Sequence, residues 1–457
     1  SGGSVQWSPP NTLGLPFTPG TRDPAYLSWV RLPDLMPRSF PGVTSARDEF
    51  LVDTELESLE NRVDAYFSAA VSDAEMACIS PQVMRSTREF DAIGSRRFLA
   101  ARGRQPGDIL RYSYRPLDGR WLYWDPDTKL LDRNRNEFRT CVNGTNRFLF
   151  TTGRTRKSLA EPPLITRVLN DYNCMDSGAR GFPMLAPDDM SGLSGQTLWA
   201  PNMSAKAAEY AVSLGVGQDA LFFHAATIIQ SPGYRRTNTS GLRHDWPRIP
   251  LPATREALLA SAELGRRVAA LLDVEEPVDG VTTGSIRREM RPIGSIATAD
   301  GHQLDPSAGD LAVTAGWGHG GKGGVTMPGR GRAVERPYTD AELAAFREGL
   351  ADLGLTYDQL TACLGGTCYD VYLNDVAYWR CVPARVWKYT IGGYQVIKKW
   401  LSYRERALLG RDLTPDEARY VTEMTRRIAA ILLLEPALDE NYEQVKADTY
   451  PWPGRSS

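Results

Sequence analysis

The sequence predicts an α+β protein in which helices mix with short antiparallel strands. Three observations lead there. Helical apolar stripes recur, most clearly over 254–272 and 415–434. Two pairs of short aromatic runs, around 109–124 and 369–381, read as hairpins. The two kinds of segment follow one another without regular βαβ alternation and without an internal repeat, which argues against a doubly wound sheet. At 457 residues the chain can bury a large core, and length alone suggests two or three domains.

Residues 1–45 are rich in Pro, Gly and Ser and read as an irregular arm, with Trp7, Trp29 and Phe40 as anchors. The opening SGGS, with no Met, reads as a linker scar on a fragment. Residues 54–68 form a helix with Leu56, Leu59, Val63 and Phe67 as its stripe, and a second short helix covers 73–84. ILRYSYRP (109–116) and RWLYW (120–124) alternate around Leu117-Asp118-Gly119, a hairpin with an expected Asp-Gly turn. A strand follows at 147–151, and residues 160–202 look irregular.

Residues 204–214 and 217–230 read as a helical pair, with Phe223 and Ile228 in the core. The proline-rich 246–252 segment is an extended connector. Thr254 caps a helix to Leu272, lined by Leu258, Leu259, Leu264, Val268 and Leu271. A short strand is expected at 311–314, then a glycine-dense loop to Arg332. Thr339-x-x-Glu342 is a capping box, and Gly354 ends that helix. Strands at 369–373 and 377–381 join at Asn374-Asp375. Trp387–Ile391 reads as a strand, Gly392-Gly393 as a tight turn, and a helix starts near Tyr394 with Val396, Trp400 and Tyr403 on one face. Thr414-Pro415-x-Glu417 opens a last helix that is expected to stop near Leu434.

Lys and Arg number 53 against 55 Asp and Glu, a net charge of −2, so the total does not advertise nucleic acid. The distribution does more. From Arg85 to Lys157 there are 17 basic and 8 acidic residues, an excess of 9. Residues 385–427 are also basic, whereas 40–84 run acidic. Such polarity suits one basic face, and chance clustering of solvated charge stands beside that reading.

Six cysteines make no disulfide framework, and Cys363, Cys368 and Cys381 lack a fourth Cys or a nearby His, so no metal is expected. No run of 18 apolar residues suggests a membrane span, and a reducing cytoplasm is the expected compartment. Gly316-Trp-Gly-His-Gly-Gly321-Lys322-Gly323 nearly fits a phosphate loop, but it has no Ser or Thr after the lysine and no helix follows. Asp118, Asp127 and Lys129 loosely echo a metal-dependent nuclease. Trp121, Tyr123 and Trp124 read as hairpin core or as a stacking platform. His224, between Phe223 and Ala225, reads as a satisfied core histidine rather than a base.

GGYQVIKKWLSYRER (392–406), followed by LTPDEARYVTEMTRRIAAILLL (413–434), resembles the C-terminal specificity region of type ISP restriction–modification enzymes. Further blocks agree in order: RLPDLMPRSFPGVTSARDEFLVD (31–53), YRPLDGRWLYWDPDTKLLDRNRNEF (114–138), WPRIPLP (246–252), TAGWGHGGKGGVTMPGRGR (314–332) and YDVYLNDVAYW (369–379). The resemblance implies a two-lobed DNA target recognition domain, with double-stranded DNA as partner. In that family a nuclease, a helicase-like motor and an adenine-N6 methyltransferase precede the region. S-adenosylmethionine, ATP and magnesium would serve those modules, and no cofactor is expected in this chain. No Asn-Pro-Pro-Tyr or Asp-Pro-Pro-Tyr element occurs here.

The expected organisation is an arm joining to the methyltransferase (1–84), a first recognition lobe (85–300) and a second (301–457). Three basic segments are expected to touch DNA. They are the loop bearing Lys129, Arg133, Arg135, Asn136 and Arg139; the glycine loop bearing His319, Lys322, Arg330 and Arg332; and the helix bearing Gln395, Lys398, Lys399, Arg404 and Arg406. A structural docking module for the methyltransferase with little DNA contact is the competing expectation, and a metal-dependent nuclease resting on Asp118, Asp127 and Lys129 is a third.

Overall fold

A computed structural model describes residues 24–155, 159–175, 178–188, 198–322 and 325–453; Trp7 lies outside them. The fold is mixed α+β with several small sheets, most of them antiparallel. Its helical centre is Asp219–Gln230, whose residues from Ala220 to Gln230 are all buried. Arg255–Leu272 lies along it, and Gly265 allows the close approach: a Cβ there would sit 2.0 Å from the Phe223 carbonyl oxygen. His224 is satisfied inside this layer, its Nδ1 2.7 Å from Ser261 Oγ and its Nε2 2.8 Å from the Pro250 carbonyl oxygen.

The last helix, Pro415–Ala447, packs on both of these. Thr414 and Glu417 form the expected capping box, but the helix does not stop at Leu434. It continues through Pro436 because Leu438, Tyr442 and Val445 extend its buried stripe. Packing outweighs a lost N–H and ring crowding that cost roughly 3 kcal/mol.

One four-stranded sheet runs in the order Val52–Asp53, Asp118–Tyr123, Ile109–Arg115, Leu169–Asn170, the last pair parallel. The hairpin turn is displaced from the expected Asp-Gly. Arg115 pairs with Asp118, so Pro116 and Leu117 make the turn, with Leu117 at φ +54°. Tyr420 Oη donates to the Leu117 carbonyl at 2.5 Å, and the Leu117 side chain is buried. Tertiary contacts hold a residue that local preference would not choose. The 160–202 segment, expected to be irregular, supplies Leu164–Thr166 and Ala179–Pro183 to a sheet around Phe148–Thr152. Those strands are too short and too interrupted by Gly and Pro to show alternation.

A second four-stranded antiparallel sheet orders Ser295–Thr298, Ala377–Pro383, Cys368–Tyr372 and Ala333–Arg336. Asn374 closes its central turn, accepting from the Val376 and Ala377 N–H groups at 2.8 Å each. Leu311–Thr314 is not a strand; Leu311 and Val313 are buried, and the Thr314 N–H donates to the Leu373 carbonyl at 2.8 Å. Trp387 ends a helical turn, Ala384–Trp387, instead of starting a strand. Thr390–Ile391 then pairs with Tyr394–Gln395 across Gly392 (φ +56°) and Gly393 (φ +87°), the two-glycine turn that positive φ at both positions requires.

The described part of the arm, residues 24–45, packs against the later chain. Val30–Arg31 pairs with Arg248–Ile249, Trp29 is buried, and Phe40 stacks on Phe138 with centroids 5.9 Å apart.

Candidate nucleic-acid interface

The basic loop after Asp118–Tyr123 forms one wall of a cleft of about 770 Å³. Its course is fixed from behind. Trp124 Nε1 donates to the Asn134 carbonyl at 2.8 Å, and Arg133 exchanges backbone hydrogen bonds with Thr44 at 3.0 and 3.1 Å. The Arg47 guanidinium, over the Phe90 ring, donates to the Lys129 and Leu130 carbonyls at 3.1 and 2.7 Å. Arg135 sits at φ +57°, with Nε donating to the Gly42 carbonyl at 3.1 Å. A non-glycine residue in that region costs energy that the surrounding contacts sustain.

Lys129, Arg133, Arg135 and Asn136 all line this cleft, joined by Arg180 from the Ala179–Pro183 strand. Burial lowers the Arg135 pKa, and the charges of Arg133 and Arg180 lower it further, while Asp132 opposes them; Glu89, Asp91, Asp127 and Glu137 also line the cleft. Arg133 faces Asp132 at 3.3 Å and Glu89 at 3.7 Å, exposed pairs worth little. Lys129 is exposed and forms no ion pair among the described residues. Arg139 is turned away: it donates to the Val142 carbonyl at 3.3 Å and lies 5.7 Å from the Trp124 ring centroid. Arg180 escaped the sequence reading because its strand is short and borders a Gly/Pro-rich stretch. A second cleft of about 600 Å³ shares Lys129, Asp132 and Glu89 with the first and adds Arg85.

The glycine-dense loop is a β-ribbon, Gly318–Gly320 paired with Thr326–Pro328. Glycine sets it close to its base. A Cβ on Gly318 would lie 2.0 Å from the Ser402 carbonyl oxygen, and one on Gly331 (φ +67°) would meet the Trp317 ring at 2.0 Å. The buried Glu405 carboxylate accepts from the Gly316 and Trp317 N–H groups at 3.2 and 2.8 Å. His319, Lys322 and Arg330 are exposed. Arg332 pairs with Asp375 at 3.0 Å and lies over the Tyr372 ring. The ribbon rests on the Val396–Ser402 helix, so the second and third basic segments adjoin.

On that helix Val396, Ile397, Trp400 and Leu401 are buried, and Lys398 and Lys399 are half-exposed. Lys399 Nζ lies 4.5 Å from the Tyr403 centroid. Gln395 Nε2 donates to the Trp387 carbonyl at 2.7 Å, and Arg406 is exposed beside Asp412 at 3.2 Å. Arg404 points inward, its side chain 3% exposed.

The family described as the Type ISP C-terminal specificity domain matches residues 34–308 and 355–430. The chain belongs to that family. Its fold is similar to three solved structures. A nuclease-deletion mutant of the type ISP enzyme LlaGI in complex with a DNA substrate mimic has a TM-score of 0.51 and 15% identity, over 92% of this chain and 34% of that one. The ATP-dependent type ISP enzyme LlaBIII bound to DNA has a TM-score of 0.55 and 13% identity, over 92% and 24%. The DrdV–DNA complex has a TM-score of 0.55 and 16% identity, over 89% and 36%. The specificity domain thus spans about a quarter to a third of each of those chains. No curated protein matches it.

Two chemical echoes in this specificity domain resolve into structure. Asp118 is fully buried between Arg404 at 2.7 Å and Arg120 at 2.9 Å. Burial opposes its charge, but the two guanidiniums outweigh that and hold the carboxyl below the usual range. Asp127 pairs with Arg102 at 2.6 Å. Both carboxylates of the nuclease echo are therefore neutralised by arginines. Tyr123 is core; Trp121 and Trp124 are half-buried.

Glu342, Cys368 and Cys381 bring three buried donor atoms within 4.8 Å of one another, a grouping that sequence spacing did not suggest. Glu342 already binds Arg336 at 2.8 and 2.9 Å and the Thr339 N–H at 2.8 Å, and a cation would meet the Arg336 charge. No helix among the described residues is long and apolar enough to cross a membrane.

Proposed function

We propose that this specificity domain binds duplex DNA and reads a short sequence, placing one adenine before a methyltransferase module outside this chain. In the full enzyme that contact licenses a motor and nuclease, which use ATP and magnesium, while the methyltransferase uses S-adenosylmethionine. The chain itself is read as non-catalytic and at work in the bacterial cytoplasm. The observation that carries the reading is the convergence of exposed or half-exposed cations at two places. One is the cleft with Lys129, Arg133, Arg135 and Arg180; the other is the ribbon–helix face with Lys322, Arg330, Lys398 and Arg406. Family membership and the DNA held by LlaGI, LlaBIII and DrdV support it. Phosphate contacts from these cations set register, and polar side chains such as Asn136 and His319 meet base edges.

The arm to residue 84 joins the methyltransferase, and 85–300 and 301–457 act as two recognition lobes. Arg404 is left out of the contact set, since it is sealed against Asp118. The test is fluorescence anisotropy on a random-duplex pool, with the bound molecules sequenced. Enrichment of one short motif is expected. Failure of the folded chain to bind at about 50 mM salt, where several phosphate contacts act most strongly, would leave a docking module instead.

A further inference from the structure

The ribbon carries more than charge. Its register pairs Gly318 with Pro328, His319 with Met327 and Gly320 with Thr326, and the Gly321 N–H continues the ladder to the Val325 carbonyl at 2.8 Å. Side chains alternate across a ribbon, so His319, Met327 and Val325 share one face. The opposite face is where Gly318 closes on Ser402 and Gly320 approaches Leu408. The outer face is open: Val325 is 61% and Met327 46% exposed. Gly321 keeps this face bare, since a Cβ there would stand 2.6 Å from Met327 Cγ. The result is a continuous apolar ridge beside an imidazole, flanked by Lys322 and Arg330.

We infer that this ridge enters the major groove and reads the C5-methyl group of thymine, Met327 and Val325 supplying the apolar contact. The inference rests on the DNA reading above and names the chemistry that one segment recognises. A two-stranded ribbon fits the major groove, which is about 12 Å wide. Each A·T pair shows there a methyl group beside an amine donor and carbonyl and ring-nitrogen acceptors, and C·G and G·C pairs show no methyl. An apolar side chain next to an imidazole matches that edge. The flanking cations match the phosphates on either side, a charge complementarity that a second copy of a chain with net charge −2 would not offer specifically.

Uracil differs from thymine only by that methyl, so the test is a substitution of one group. The enriched duplex is remade with uracil at each thymine in turn, and anisotropy is read with the full chain. Loss of a contacted methyl should weaken binding about fourfold at one or two positions. Met327→Ala and Val325→Ala should weaken binding to the thymine duplex while removing its preference over uracil. Both side chains are exposed, so the melting curves should not move. Binding that ignores every uracil replacement, or an enriched motif without an A·T pair, would overturn the inference and leave the DNA reading intact. Absence of duplex binding would overturn both.

Discussion

The seam around Asp118 and the cleft around Lys129 are neighbours in sequence and both carry several cations, yet they use charge in opposite ways. In the seam Arg120 and Arg404 share one buried carboxylate, Arg115 binds Asp171 at 2.8 Å, and Tyr114 packs edge-on to Tyr403. Two of these contacts, Arg404 to Asp118 and Tyr403 to Tyr114, join the first sheet to the segment after the Val396–Ser402 helix. In the cleft Lys129 has no ion-pair partner among the described residues, and Arg133 has only exposed ones. A basic residue next to aromatics is thus no sign of a nucleic-acid surface by itself. What decides is where the guanidinium finds its partners: Arg404 turns in to a buried carboxylate and Arg139 to a backbone carbonyl.

That contrast predicts separable defects. The largest effect belongs to the seam. Asp118→Ala leaves two buried guanidiniums without their carboxylate and should cost about 3–5 kcal/mol in urea unfolding. Arg133→Gln, at the surface, should stay within about 0.5 kcal/mol. Equal losses for the two variants would erase the distinction.

A buried histidine extends the same logic to pH. Burial lowers His224 to about 4, against about 6.5 in an unfolded chain. The unfolded chain therefore takes up the proton first, and stability falls as pH drops from about 6.5 to about 4, by roughly 3 kcal/mol in all. Urea titrations across that range should show the slope. His224→Gln, though less stable overall, should lose that part of it.

Local signals made much of the fold legible. The Thr339 and Thr414 capping boxes, the Asn374 turn and the Gly392-Gly393 turn each depend on residues within a few positions of one another. What escaped depends on distant partners. The Pro116–Leu117 turn needs Tyr420, and the helix beyond Pro436 needs a core for Leu438 and Tyr442. The candidate site was legible by residue type and not by direction. Lys129, Arg133, Arg135, His319, Lys322 and Arg330 lie where a ligand could reach them. Arg139 and Arg404 have the same chemistry and turn inward, and Arg180 joins the cleft only through strand pairing.

The smallest expected effect gives the most direct test of the surface assignment. We would measure the slope of log affinity against log salt for the unaltered chain and for Lys129→Gln with Arg133→Gln, on one duplex. Each lost phosphate contact should flatten the slope by about 1, so the double variant should differ by about 2, with its melting curve unchanged. An unchanged slope from a folded double variant would contradict the account and take the 129–139 cleft out of the DNA surface.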